Sequence, residues 1–224
     1  MKGVSVVDDC NCTMIGKPAP VFEVDGFDAL KGSFERYSLA DYRGKYVVLF
    51  FYPGDFTFVC PTELVSIASL KDEFQKAGVE VFVVSMDSKF AHKEWNESEL
   101  SKAVGSNYPY PMLADPLGKM GRAYGIFDEN ACIDLRGTVL IDKKGVVQMI
   151  AINAAPLGRN PKELLRSALA LKEFDDNGGK VIPACWIPGD DVIEPSYENS
   201  GHMWNNHKDV IQQGVVQGGN WRAD

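Results

Sequence analysis

Residues 46–63 read YVVLFFYPGDFTFVCPTE, and this stretch decides the fold prediction. Its first seven residues are a continuous run of β-branched and aromatic side chains, which predicts a central strand covered on both faces. Pro53 and Gly54 end that strand, because neither residue suits a strand interior. The chain then turns, and the spacing places Cys60 at the start of a helix.

The segments on either side alternate between strand and helix patterns. They are a helix from about Thr62 to Ala77, a buried strand over 79–85, a helix capped by Ser88 that carries His92, Trp95 and Leu100, a hairpin over 139–150, and a last helix over 161–174. Gly78 stands where a C′ glycine is expected after the first of these helices. Alternation of this kind, followed by a hairpin, indicates an α/β fold with a mixed sheet and helices on both faces.

Composition and length limit the classes of protein to which this chain can belong. With 224 residues, 45% of them hydrophobic, the chain suits one domain plus an extension, and we predict a domain over 15–178 and a C-terminal arm and tail over 179–224. A net charge of −8 without a basic run argues against nucleic acid as a partner. No apolar stretch is long enough to predict a membrane span or a signal peptide. Five scattered cysteines do not form a disulfide framework, so a cytoplasmic location is predicted.

The position of Cys60 favours nucleophilic chemistry. Helix N-terminal N–H groups and the helix dipole favour an anion at this point, and Pro61 suits the first helical turn. A stable thiolate alone does not make an efficient nucleophilic site, because nucleophilicity falls as the thiolate becomes more stable. The bond that the thiolate attacks must also be oriented, and the charge on the departing group must be stabilised. Thr57 offers a hydroxyl for this purpose, and an arginine from elsewhere would complete the site; the alternative is an inert core cysteine.

A family resemblance rests on the spacing of Pro53, Thr57 and Cys60, which matches the signature Pro-x-x-x-Thr-x-x-Cys. Further matches are Val59–Glu63, Asp41–Lys45, Trp95, Asp115-Pro116, Leu135–Gly137 and Leu157–Arg159. Over about residues 15–195 the sequence resembles a peroxiredoxin of the typical two-cysteine branch, which includes the bacterial alkyl hydroperoxide reductase peroxidase subunit. The resemblance implies a thioredoxin-like fold, with a central mixed β-sheet flanked by helices and a C-terminal arm.

The resemblance also implies an activity and a set of site residues. The activity is thiol-dependent reduction of hydrogen peroxide and organic hydroperoxides, with no cofactor and no metal. Cys60 would be oxidised to a sulfenic acid, Thr57 would hydrogen-bond the peroxide, Arg136 would hold the thiolate and polarise the peroxide, Glu63 would orient Arg136, and Pro53 would shape the pocket. The implied partners are thioredoxin or a flavoprotein disulfide reductase, and the implied assembly is a homodimer, often in a ring-shaped decamer.

The cysteine that resolves the sulfenic acid departs from the family pattern. The family carries it in a Val-Cys-Pro-Ala-x-Trp segment, whereas residues 181–186 read VIPACW, with Ile182 at the expected position and Cys185 three residues later. In an extended segment this shift moves the sulfur by roughly 10 Å. We predict Cys185 as the resolving residue across a dimer. The alternatives are Cys10, Cys12, Cys132 and an external thiol.

Other interpretations have weaker support. Cys10-Asn11-Cys12 resembles half of a metal site, but zinc usually needs four ligands, and the three histidines form no ligand pattern. A thioredoxin-type disulfide oxidoreductase would need Cys-x-x-Cys at the helix start, where position 57 holds Thr57. A chaperone or redox-signalling scaffold stays open as an additional role. The family loop linked to easy overoxidation is replaced by residues 103–106, reading AVGS, which predicts resistance to overoxidation.

Overall fold

The computed structural model describes residues 13–197, 200–202 and 208–210. Its strands are β1 (Glu23–Asp28), β2 (Ser33–Ser38), β3 (Tyr46–Phe51), β4 (Val79–Ser85), β5 (Met112–Ala114), β6 (Phe127–Asp128), β7 (Ile133–Asp134), β8 (Arg136–Ile141) and β9 (Val147–Asn153). Its α-helices are α1 (Cys60–Ala68), α2 (Lys71–Ala77), α3 (Lys89–Trp95), α4 (Ser101–Val104), α5 (Lys119–Ala123) and α6 (Pro161–Asp176). A short 3₁₀-helix (Leu39–Tyr42) precedes β3, and a π-helical segment (Asn96–Leu100) joins α3 to α4.

Seven of the strands form one mixed sheet, in the order β2-β1-β5-β4-β3-β8-β9. The three central strands β5, β4 and β3 are parallel, and the flanking pairs are antiparallel. Strands β6 and β7 pair separately. The mixed sheet flanked by helices confirms the α/β prediction, and β3 lies inside the sheet between β4 and β8.

Strand β3 is buried on both faces, as its composition predicts. Val48 and Phe50 belong to the core cluster that contains side chains of α1, α2 and α6. Val47, Leu49 and Phe51 belong to the cluster on the opposite face. Successive side chains of β3 therefore contribute alternately to the cores on the two faces of the sheet.

The predicted single helix over 62–77 is wrong. The structure has two helices, α1 and α2, separated at Ser69 and Leu70. The amide of Leu70 donates to the carbonyl of Ile67 instead of a residue four positions back, so the turn tightens and Leu70 packs against the core. Because neither glycine nor proline marks this break, tertiary packing decides it. Gly78 ends α2 with a φ of 73°, the left-handed conformation expected of a C′ glycine.

The predicted cap of the next helix is confirmed. The Ser88 hydroxyl accepts a hydrogen bond from the amide of Ala91, so α3 begins at Lys89. The helix does not continue regularly to Leu100, because the backbone widens into a π-helical turn after Trp95. Within the described part of the chain, no helix is both long and apolar enough to cross a lipid bilayer.

A buried carboxyl group lies on β7, two residues before Arg136. Asp134 is fully buried, and neither of its carboxylate oxygens has a hydrogen-bond partner among the described residues. Burial, together with the charge of Asp115, raises the pKa of Asp134 to about 7. A Cβ at Gly121 would lie 1.9 Å from one of its oxygens, so only glycine leaves room for this side chain.

Asp134 is expected to make stability fall as pH rises. A carboxyl whose pKa is raised on folding, here from 3.8 to about 7, contributes stability that is complete below pH 4 and is lost as pH rises through about 7. Three pKa units correspond to about 4 kcal/mol at most. Between pH 5 and pH 8, the free energy of unfolding of the wild type should fall by about 2–3 kcal/mol because of Asp134, and that of Asp134→Asn should lack this fall.

Urea unfolding of the reduced protein, followed by fluorescence at both pH values, measures this difference. Asp41→Asn is the control, because Asp41 is exposed and its replacement should leave the pH dependence unchanged. Parallel pH dependence in the wild type and in Asp134→Asn would contradict the assignment.

Candidate active site

Cys60 is the first residue of α1, directly after the turn that follows β3. Its side chain is fully buried. Pro61 is the second helical residue, where a missing N–H removes no intrahelical bond. The residue before the helix, Val59, provides no side-chain cap, so the first-turn amides of α1 have no side-chain acceptor from the capping position. The sequence prediction of a cysteine at a helix start is thereby confirmed.

Arg136 reaches Cys60 from the start of β8, 76 positions along the chain. Its Nη1 donates to the Cys60 Sγ at 3.4 Å and to Glu63 Oε2 at 2.7 Å. Its Nε donates to the carbonyl of Ala155 at 2.6 Å, which fixes the plane of the guanidinium. Nη2 makes no hydrogen bond within the described residues, so this group remains able to donate to a bound molecule. The structure therefore brings together Cys60, Glu63 and Arg136.

Arg159 is the site residue for which the sequence predicted no role. Its backbone amide and Nε both donate to Glu63 Oε1, at 2.8 and 2.9 Å, and its Nη2 donates to Oε2 at 3.1 Å. The guanidinium also lies 3.4 Å from the ring centroid of Phe50 on β3. The segment Leu157–Arg159 was among the family matches, and that match was the available signal. The Glu63 carboxylate thus accepts hydrogen bonds from two arginines.

The charges of Arg159 and Arg136 affect the pKa of Glu63. Burial alone would raise the pKa of the Glu63 carboxyl. The hydrogen bonds and charge of Arg159, together with the charge of Arg136, instead hold that pKa below its ordinary value. Glu63 is therefore ionised at neutral pH, and two guanidinium groups share one carboxylate. The three charged groups together carry one net positive charge, and Arg136 donates to the Cys60 sulfur.

Thr57 and Pro53 lie in the turn between β3 and α1. The Thr57 hydroxyl donates to the carbonyl of Gly54 at 2.9 Å, so its oxygen lone pairs remain available to accept a hydrogen bond. Pro53 is half-buried directly after the strand. No hydrogen bond between Thr57 and Cys60 is present in the described structure.

A buried polar cluster stabilises the turn between β3 and α1. Asp55 accepts from the Tyr52 hydroxyl at 2.7 Å and contacts His92 Nδ1 at 2.8 Å. Its backbone amide donates to Asp87 at 2.8 Å. Burial raises the pKa of Asp55, whereas the hydrogen bond and charge of His92 lower it. The cluster fixes the turn through groups on three separate segments, and the sequence did not reveal this role of His92.

Cys185 lies in a folded loop and not in an extended segment. The amide of Trp186 donates to the carbonyl of Pro183, and the buried Trp186 indole donates to the carbonyl of Asp190. Arg166 on α6 donates to the carbonyl of Trp186 at 3.0 Å. The Cys185 side chain is exposed, and its φ is 59°. The shift of roughly 10 Å expected for an extended chain therefore does not apply.

Cys132 is exposed, in the loop before β7, and Cys10 and Cys12 lie outside the described residues. Among residues that the structure describes, no group of three or more His, Cys, Asp and Glu side chains is arranged to hold a metal ion.

Comparisons with known proteins show the family to which this chain is similar. The model of the AhpC/TSA family matches residues 15–150, and the model of the C-terminal domain of 1-Cys peroxiredoxin matches residues 170–206. The selenocysteine-containing peroxiredoxin PrxU of Peptoclostridium acidaminophilum is 47% identical over 191 residues, 85% of this chain and 93% of that relative. Peroxiredoxin-2 of Rattus norvegicus is 42% identical over 193 residues, 86% of this chain and 96% of the relative.

Solved structures show the same fold. The reduced 2-Cys peroxiredoxin of Plasmodium vivax superposes with a TM-score of 0.78 at 35% identity, covering 83% of this chain and 95% of that one. AhpC of Enterococcus faecalis gives a TM-score of 0.71 at 36% identity, covering 76% and 99%. Fold and site together define a thioredoxin-like, thiol-dependent peroxidase. The chain belongs to the AhpC/TSA family of peroxiredoxins, and its relatives confirm the resemblance to the typical two-cysteine branch.

Proposed function

We propose that Cys60 is the nucleophile of this peroxidase. The observation that carries the proposal is the hydrogen bond from Arg136 Nη1 to the Cys60 sulfur at 3.4 Å, at the first residue of α1. A guanidinium and a helix N-terminus both favour the thiolate over the neutral thiol. No other described cysteine has an arginine N–H within hydrogen-bonding distance of its sulfur.

The proposed reaction is a displacement at oxygen. The Cys60 thiolate attacks one peroxide oxygen, the S–O bond forms as the O–O bond breaks, and Cys60 becomes a sulfenic acid. The second oxygen leaves with the electron pair of the O–O bond and is protonated to water or an alcohol. The free Nη2 of Arg136 is placed to stabilise the charge on the departing oxygen. The Thr57 oxygen, already donating to Gly54, accepts a hydrogen bond from the peroxide O–H.

Glu63 and Arg159 act through Arg136. Glu63 accepts from Arg136 Nη1, and Arg159 binds both oxygens of the same carboxylate. Because this cluster is buried, it holds the Arg136 guanidinium in one orientation without a conformational cost at the moment of reaction. Pro53 forms one wall of the turn and brings no N–H to the site.

Cys185 is the proposed resolving thiol. Its exposed sulfur can condense with the sulfenic acid of Cys60 in a second subunit, releasing water and forming an intermolecular disulfide. Because Cys60 is fully buried, the first turn of α1 must open before the two sulfurs reach bonding distance, about 2.05 Å. Thioredoxin or a flavoprotein disulfide reductase would then reduce the disulfide.

A peroxide-treated sample on a non-reducing gel tests this assignment. The wild type should give a disulfide-linked dimer, and Cys185→Ser should give monomer only. Cys132→Ser is the matched control, since Cys132 is also exposed, and it should retain the dimer. An unchanged dimer in Cys185→Ser would remove Cys185 from the mechanism and leave Cys10, Cys12, Cys132 or an external thiol.

We further propose that the chain assembles as a homodimer within a ring-shaped decamer. Phe58 is 94% exposed and Phe56 is 56% exposed, both in the turn that leads to Cys60. Two exposed phenylalanines beside a buried site are typical of a surface covered by another subunit. Sedimentation of the reduced protein tests this proposal, and Phe58→Glu should shift the decamer to dimers.

The peroxidase proposal itself is tested by the rate of peroxide consumption. The reduced protein is mixed with hydrogen peroxide or an organic hydroperoxide, and peroxide loss is followed in the presence of a reducing dithiol. Catalytic consumption of peroxide without any added metal or cofactor is expected, and without the dithiol the enzyme should consume about one peroxide per Cys60. Mass spectrometry of Cys60 trapped with a sulfenic-acid reagent identifies the oxidised residue, and exclusive labelling of another cysteine would contradict the proposal.

A further inference from the structure

A large cavity lies at the end of the sheet opposite Cys60. Its volume is about 700 Å³, and its walls include the first residues of the parallel strands β3 and β4, Tyr46 and Val79. Cys60 follows the other end of β3, so the cavity is separated from the peroxidase site by the length of the strand. Its volume lies within the range of about 300–1,000 Å³ that small-molecule sites occupy.

The walls of this cavity are rich in lysine. Five lysines line it: Lys45, Lys71, Lys76, Lys143 and Lys172. They come from the segment before β3, from α2, from the turn between β8 and β9, and from α6, so separate parts of the sequence converge here. The only carboxylate among the lining residues is that of Glu80. In a chain with a net charge of −8, such a concentration of positive charge is opposite to the overall balance.

Neighbouring carboxylates neutralise only part of this charge. Lys45 pairs with Glu80 at 2.7 Å, and Lys172 pairs with Asp176. Lys71 and Lys76 have no ion pair with any described residue.

Lys143 likewise has no carboxylate within ion-pair distance in the described part of the chain, and its ammonium lies 4.8 Å from the ring centroid of Tyr46. Several acids lie near the cavity: Asp142, Asp175 and Asp176 near Tyr46, and Asp72 and Glu73 near Tyr110. Asp175 accepts a hydrogen bond from the Tyr46 hydroxyl at 2.6 Å. Three ammonium groups of the lining, those of Lys71, Lys76 and Lys143, therefore form no ion pair with a described residue.

We propose that this cavity binds a multiply charged phosphate anion, such as an inorganic polyphosphate or the phosphate chain of a nucleoside triphosphate. Lysine ammonium groups bind phosphate as compact point charges, and several of them along one wall suit a chain of phosphates. A single phosphate would leave most of the volume empty and would contact few of the lysines. The proposal goes beyond the peroxidase function and does not depend on it.

Isothermal titration of the full-length reduced protein tests the proposal, with sodium tripolyphosphate and ATP as probes in a phosphate-free buffer. Both probes should bind, because both carry three linked phosphates, and inorganic orthophosphate should bind at least tenfold more weakly. Equal affinity for tripolyphosphate and ATP assigns recognition to the phosphates alone, whereas tighter ATP binding adds a contact with the nucleoside. Raising the ionic strength should weaken both.

The double variant Lys71→Gln/Lys76→Gln should bind tripolyphosphate about tenfold more weakly than the wild type. Lys102→Gln/Lys162→Gln is the matched control: it removes the same charge from exposed positions away from the cavity and should bind normally. Peroxide consumption should be unchanged in both variants, which separates this test from that of the peroxidase site. Failure of both probes to bind, or equal loss of affinity in the two double variants, would overturn the proposal.

Discussion

Cys60→Ser is expected to abolish peroxide consumption, with a fall in rate on the order of 10⁴-fold or more. A serine hydroxyl is almost never ionised at neutral pH, and its oxygen is a much weaker nucleophile than a thiolate. The hydrogen bond from Arg136 would then stabilise a neutral hydroxyl that cannot attack the O–O bond. Stopped-flow measurement of hydrogen peroxide loss, with the wild type alongside, gives the rate.

The fold should survive this replacement. Serine is slightly smaller than cysteine and retains a group able to accept from Arg136, so circular dichroism and the thermal midpoint serve as checks. Cys132→Ser is the control for the loss of one thiol, and it should retain wild-type activity because Cys132 is exposed and contacts none of the site residues. Retention of more than about a hundredth of the wild-type rate in Cys60→Ser would show that another group attacks the peroxide.

Arg136→Met is expected to lower the second-order rate constant for peroxide by about 10²–10³-fold, the usual effect of removing a donor that stabilises developing negative charge. The replacement removes the donor to the Cys60 sulfur and the free Nη2 while keeping a long side chain in the buried space. Glu63 keeps its bonds to Arg159, so its carboxylate is not left unpaired. The fall in the rate constant should therefore be larger than a loss of folding stability alone would cause.

Two further variants separate charge from geometry. Arg136→Lys keeps the positive charge but cannot reach the Cys60 sulfur, Glu63 and the Ala155 carbonyl together, so an intermediate rate is expected. Arg122→Met is the control for loss of an arginine, because Arg122 is bound to Glu129 at the surface. Equal rates for Arg136→Met and the wild type would exclude Arg136 from the reaction.

Much of the fold follows from local sequence. The run of apolar residues at β3, the hairpin of β8 and β9, the Ser88 cap and the Gly78 helix end are each decided by neighbouring residues, and the structure confirms them. Strands β1, β2 and β5 were not predicted. Their sequences carry glycine and charged residues or are only three residues long, and their pairing across the sheet stabilises them more than their own pattern does.

The sequence by itself determined that a cysteine stands at a helix start after a buried strand, because strand, turn and helix signals all lie within eighteen consecutive residues. Local pattern did not decide what surrounds that cysteine: the family resemblance named Arg136 and Glu63, and the tertiary structure shows how they meet and adds Arg159. Arg136 and Arg159 are 73 and 96 positions from the Glu63 they share, and residue spacing carries no information about which buried charges meet at such separations. Burying an unpaired charge costs free energy, so these buried charges need partners. The packing of β8 and of the loop after β9 against α1 determines which residues those partners are.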